Sequence, residues 1–161
     1  FEVEVPTMVG KYLKGNTGEI ITASLGDRWG SDLYLMAQSS KVKLFISEKR
    51  EMEMEMKIAV QIADYHRTRS AQLFNYAECC IIAERWRWYA NYEFLSLIKK
   101  GLSPKAAISH FRDRYQINDM DWSDDAMWQA YTRFRQGKSE FAFKPHMIVC
   151  YDRSPVFEWG V

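Results

Sequence analysis

Between Lys41 and Asp64 apolar and polar positions alternate one by one. Val42, Leu44 and Ile46 are interleaved with Lys41, Lys43, Phe45 and Ser47; then Met52, Met54, Met56, Ile58, Val60 and Ile62 are interleaved with Glu51, Glu53, Glu55, Lys57, Ala59 and Gln61. A helix would spread those methionines around its circumference, whereas a strand sends them to one face and the glutamates to the other. The pattern predicts two strands joined at the polar break Ser47 to Arg50, a long hairpin whose outer face brings Lys41 and Lys43 near Glu51, Glu53 and Glu55. Upstream, FEVEV stops at Pro6 as a short strand, and Thr7 to Lys14 spaces Val9, Tyr12 and Leu13 as a brief helix with Thr7 as its cap. Gly15, Asn16 and Gly18 close that helix, Ile20 to Ser24 predicts a further strand, and Asp27 to Gln38 is assigned helix.

After His66 to Ser70 the period changes. From about Ala71 to Lys100 the apolar residues Phe74, Ala77, Ile81, Trp88, Tyr92, Leu95 and Ile98 recur at threes and fours, with no Pro or Gly to interrupt them. In the ERWRWY stretch one of Trp86 and Trp88 must leave the main stripe, so this helix is expected to be contacted on more than one side. Lys99, Lys100 and Gly101 end it in the order that a helix carboxyl terminus favours.

Two further helices carry explicit start signals. Ser103 and Pro104 supply an N-cap and a first-turn proline ahead of Ala107, Ile108, Phe111 and Tyr115, the inward stripe. Ser123 caps the next, with Asp124 and Asp125 in its first turn, Met127, Ala130, Tyr131 and Phe134 facing in, and Gly137 as the stop. Between them, Ile117, Met120 and Trp122 are expected to plug the joint. Glu140 to Tyr151 predicts one or two strands returning to the sheet, and the apolar end, with Phe157, Trp159 and Val161, is expected to dock on the protein itself.

These elements predict an α+β fold: an antiparallel sheet with a long hairpin, packed against a layer of three C-terminal helices, the last two forming a helix-turn-helix-like pair. A single domain over 1–161 is expected, with 1–70 mostly strand, 71–138 helical and 139–161 a returning strand and tail.

Composition narrows the chemistry. Apolar residues at 47% and charged residues at 27% fit an ordinary globular chain, and no apolar run approaches the roughly 20 residues of a membrane span. With no secretory signal pattern at the amino terminus, a cytoplasmic location without membrane association is expected. Cys79, Cys80 and Cys150 are odd in number and two are adjacent, against a disulfide framework. His66, His110 and His146 are scattered without metal-ligand spacing, so no metal or cofactor is expected. The EMEMEM run is a solvated strand face rather than an acidic binding motif or a methionine-rich metal site. Phosphate loops, nucleophile elbows and paired-carboxylate motifs are missing from the sequence, and no catalytic residue is assigned. A net charge of +1 argues against binding nucleic acid by bulk charge and restricts any such role to a local patch.

That patch lies between Lys99 and Lys138, where eight lysines and arginines face five aspartates. Lys105, Arg112 and Arg114 on the first helix of the pair, and Gln129, Arg133, Arg135 and Lys138 on the second, are the candidate contacts, since Arg and Lys bond guanine edges or phosphates and Gln bonds adenine. Asp124 and Asp125 occupy the end that recognition helices usually present to bases, and there they repel phosphate. The stretch GLSPKAAISHFRDRYQI followed by DWSDDAMWQAYTRFR resembles the small helix-turn-helix proteins of phages and other mobile elements. The resemblance implies a DNA-associated role, and the expected function is an accessory or regulatory protein, a homodimer that contacts duplex DNA through the 123–138 helix. The alternative is a non-enzymatic interaction or assembly module whose six tryptophans and other aromatics form an interface with a protein partner or with itself.

Overall fold

The computed structural model describes residues 1–24, 26, 29–31, 33–34, 42–45, 53–62, 76–138 and 148–151. The chain is α+β. In chain order its elements are β1 (Glu2–Val5), α1 (Thr7–Thr17), β2 (Ile20–Ala23), β3 (Val42–Phe45), β4 (Met56–Ile62), α2 (Tyr76–Lys99), α3 (Pro104–Tyr115), α4 (Asp124–Arg135) and β5 (Ile148–Tyr151). The expected helix over Asp27 to Gln38, the Ser47 to Arg50 connection, Lys41, Phe74 and the final segment lie largely or wholly outside the described residues.

The sheet differs from the expected antiparallel one. Its strand order is β1-β4-β2, with β1 antiparallel to β4 (Glu2 opposite Ala59, Val5 opposite Met56) and β2 parallel to it (Ile20 opposite Ala59, Ala23 opposite Ile62). Both edges of β4 are therefore taken, and the hairpin partner expected for it, β3, pairs instead with β5 in a separate antiparallel pair. The returning strand thus joins β3 rather than the three-stranded sheet. Alternation fixes which face of a strand is apolar but not which strand lies beside it.

Within β4 the alternation holds from Met56 onward: Ile58 and Val60 are buried while Lys57, Ala59 and Gln61 are exposed. Val3, Val5, Ile21 and Ala23 join the inner face, and Glu2, Glu4, Ile20 and Thr22 the outer. Cross-strand ion pairs on that outer face run from Lys57 Nζ to Glu2 at 3.6 Å and Glu4 at 3.8 Å, between β4 and β1 rather than across a β3–β4 hairpin.

Helices α1 and α2 cover the inner face. Pro6 occupies the N-cap position of α1, which has no side-chain cap; Thr7 is already helical, and its hydroxyl donates to Glu55 Oε2 at 2.7 Å. Helix α1 ends three residues beyond the expected Lys14, at Thr17, before Gly18 with φ 82°. Along α2 the core stripe is Cys79, Ala83, Trp86, Ala90 and Phe94 with Leu95, not the one through Trp88 and Tyr92. Trp86 is buried with its indole N–H donating to the Trp29 carbonyl at 2.9 Å, while Tyr92 is 44% exposed. Tyr76 at the start of α2 is exposed, but Glu78 through Ala83 are all buried, so α2 is contacted on more than one side along that stretch.

At Gly15, α1 lies against Tyr115 of α3. A β-carbon there would lie 2.5 Å from Tyr115 Cδ1, on a ring held at both ends by its neighbours. Gly15→Ala gains about 1 kcal/mol of helix propensity but forces the ring aside. A net loss of about 1–2 kcal/mol is expected, read as a lower urea midpoint at unchanged slope.

Candidate nucleic-acid interface

The region from Ser103 to Lys138 is built from local chemistry. Ser103 Oγ accepts from the Ala106 amide at 3.2 Å and Ser123 Oγ from the Ala126 amide at 3.1 Å, so both caps fall where the sequence puts them. Ala107, Phe111 and Tyr115 of α3 and Met127 and Ala130 of α4 are buried, and Gly137 takes φ 71° after the last turn. Helices α3 and α4 pack on each other and on α2.

Tyr115 and Asp124 leave eight residues between the helices, longer than the roughly three or four of a DNA-binding helix-turn-helix. That connection is tightly bonded. Asp121 Oδ2 accepts from the Asn118 amide at 2.9 Å while Asn118 Oδ1 accepts from the Asp121 amide at 3.0 Å. Lys11 of α1 reaches Asp121 at 2.6 Å and ties the turn to the core. Ile117 is buried, and Trp122 meets Phe94 and Phe111 edge to face at 5.7 and 5.6 Å. Met120 departs from its expected role as a plug: it is 92% exposed.

Arg112 does not stand on the solvent side. Its side chain is 18% exposed, and its guanidinium donates to the Trp122 carbonyl at 2.6 Å and meets Asp119 and Asp124 at 3.2 and 2.9 Å. The Asp124 amide and then Arg112 hold the Asp119 carboxyl below its ordinary range. Arg112 therefore staples the turn to the start of α4 and offsets one of the two acids there. Arg114 is half-exposed, 3.5 Å from Glu93 Oε1 and 5.3 Å over the Tyr115 ring. Lys105, Gln129, Arg133, Arg135 and Lys138 are exposed. The candidates thus divide: Arg112 and, in part, Arg114 serve the interior of the fold, whereas Lys105 and the four positions on and after α4 face solvent.

Between α1, α2 and α3 lies a polar cluster that sequence spacing does not reveal. Glu93 of α2 accepts from Tyr12 of α1 at 2.9 Å through Oε2 and from Tyr115 of α3 at 2.5 Å through Oε1; Asn16 Oδ1 is 3.4 Å from the Tyr115 hydroxyl. Burial, then the Glu93 bond, pushes the Tyr115 hydroxyl up to about 12. Its members are fully engaged with one another and tie three helices together. Burial raises both the Cys79 and the Cys80 thiol, and Cys79 Sγ accepts from the Glu4 amide at 3.4 Å. Among the described residues no group of three or more His, Cys, Asp or Glu is placed to hold a metal ion, and no helix is long and apolar enough to cross a membrane.

Comparison with protein families, curated proteins and solved structures gave no significant match.

Proposed function

We propose that the chain is a DNA-associated accessory protein, of the phage and mobile-element class that its 101–138 stretch resembles, and that α4 contacts the duplex. One observation carries this reading. From Gln129 to Lys138 the sequence has three cations and no carboxylate, and Gln129, Arg133, Arg135 and Lys138 are exposed on a helix whose approach is fixed by the Arg112 and Lys11 contacts. A basic surface on a rigid element is what phosphate contact needs. The acidic start of α4 moves the contact to its carboxyl half. Gln129 and Arg133 share one side of α4 at i,i+4 spacing, with Lys138 just beyond its end, and supply the amide and the charges of that contact.

Fluorescence anisotropy with a labelled duplex across a salt series tests this. Wild type is expected to bind at low salt with affinity falling linearly in log–log form, and Arg133→Ala with Lys138→Ala to flatten that slope by about two, one per lost phosphate contact. Absence of duplex binding at low salt overturns the proposal.

A second reading rests on Met120 at 92% and Trp128 at 50% exposure, apolar surface more typical of a protein interface. In that case the cations of α4 serve at its rim, and the anisotropy series stays flat.

A further inference from the structure

We infer that α4 is also a self-association surface, taking a second copy of the chain in antiparallel register about a two-fold axis. Asp124, Trp128, Tyr131 and Arg135 follow one another at spacings of four, three and four residues, which places them in one stripe along the helix. Met127 and Ala130 are buried and Phe134 is packed against the core, so this stripe lies on the shoulder of α4. Trp128 is half-exposed and stands edge-on to Tyr131, with ring centroids 5.5 Å apart at 63°. Asp124 and Arg135 at the two ends are exposed.

The stripe is its own complement. Trp128 and Tyr131 are centred midway between Gln129 and Ala130, and so are Asp124 and Arg135. A two-fold axis through that point sets Trp128 against the second copy's Tyr131 and Asp124 against its Arg135, twice over, in the self-matching form that a symmetric dimer interface requires. Opposed helix dipoles favour the same antiparallel arrangement. Asp124 already meets Arg112 through Oδ1 at 2.9 Å, so in the dimer its carboxylate is shared between two guanidinium groups. Aromatic residues with arginine form the anchors of protein interfaces, whereas a polyanion would meet Asp124 at one end of this stripe. A second copy is therefore the occupant that the charges fit. Gln129 and Arg133 lie on another side of α4, Arg135 is the one cation common to both readings, and self-association is measured without DNA.

Sedimentation velocity of the full chain over a concentration series is the test. Wild type is expected to dimerise; Trp128→Ala and Arg135→Asp are each expected to raise the dissociation constant at least about tenfold, Arg135→Lys to keep the dimer, and Asp124→Arg with Arg135→Asp to recover it. Far-UV circular dichroism separates loss of the dimer from loss of the fold. If the double variant does not fold, the contrast between Arg135→Lys and Arg135→Asp carries the charge test. A wild type that stays monomeric overturns the inference, as does a dimer indifferent to Trp128→Ala and Arg135→Asp. A folded double variant that fails to recover the dimer overturns the antiparallel register.

Discussion

Phe111→Ala is expected to remove about 3–5 kcal/mol of folding free energy, a large share of the roughly 5–15 kcal/mol available to a chain of this size. Phe111 is completely buried and is the point at which three helices and a turn meet. Its ring stacks near Tyr12 of α1 at 6.0 Å, meets Phe94 of α2 edge to face at 6.1 Å, and lies 4.8 Å from Tyr115 and 5.6 Å from Trp122. The neighbours cannot relax into the space left behind, because Tyr12 and Tyr115 are held at their hydroxyls by Glu93. The cavity persists, and its cost adds to the lost transfer energy. Urea unfolding followed by circular dichroism measures the change; His110→Ala, one residue away on the exposed side of α3, is expected to stay within about 0.5 kcal/mol of wild type.

Glu93→Leu is expected to cost about 2–5 kcal/mol by a different route. It takes the Glu93 acceptor from the buried hydroxyls of Tyr12 and Tyr115, leaving Tyr115 only the longer contact to Asn16 Oδ1 at 3.4 Å. Removing the stranded donors as well should restore most of the loss, so the triple variant with Tyr12→Phe and Tyr115→Phe is expected to be more stable than Glu93→Leu alone. A loss that persists in the triple variant would show that Glu93 acts by packing rather than as an acceptor. The same cluster sets an alkaline limit. Tyr115 ionises near 12 in the folded chain, mainly because it is buried and then because of its bond to Glu93, against about 10 when unfolded. The unfolded chain releases this proton first, so the contribution is complete below about pH 10 and is lost as pH rises towards 12. Tyr115→Phe should flatten the decline of stability in that window.

The sequence was most informative where structure depends on neighbouring residues. Ser103 and Ser123 cap their helices because a serine hydroxyl needs only the amide three positions on. The faces of β4 follow from alternation for the same reason. Partner choice does not: Val42 to Phe45 has the composition of a good neighbour for β4, but β1 and β2, brought from far along the chain, fill both sides. Helix α2 is hard to orient because its buried side mixes the small residues Cys79, Ala83 and Ala90 with Trp86 and Phe94, while the equally large Trp88 and Tyr92 lie on the less buried side. At the candidate interface, spacing found the outward positions Gln129, Arg133 and Arg135. It could not find the recruitment of Arg112, which depends on the turn folding back to bring the Trp122 carbonyl within 2.6 Å. Nor does any local pattern join Tyr12 to Glu93, 81 positions away.

The order β1-β4-β2 has a consequence for assembly. Among the described residues β1 and β2 find their sheet neighbour in residues 56–62, and the bond from the Phe1 nitrogen to the Val60 carbonyl closes a span of 59 positions. Contacts that knit α3, its turn and α4 close short spans, twelve positions from Arg112 to Asp124, ten from Arg112 to Trp122 and three from Asn118 to Asp121. Closing the longer loops carries the greater entropic cost before any contact compensates it. Pairing of the sheet and docking of α1, which closes 81 positions at Glu93 and 110 at Asp121, rather than packing of α3 on α4, are therefore expected to set the folding rate, and during synthesis β1 must wait for β4.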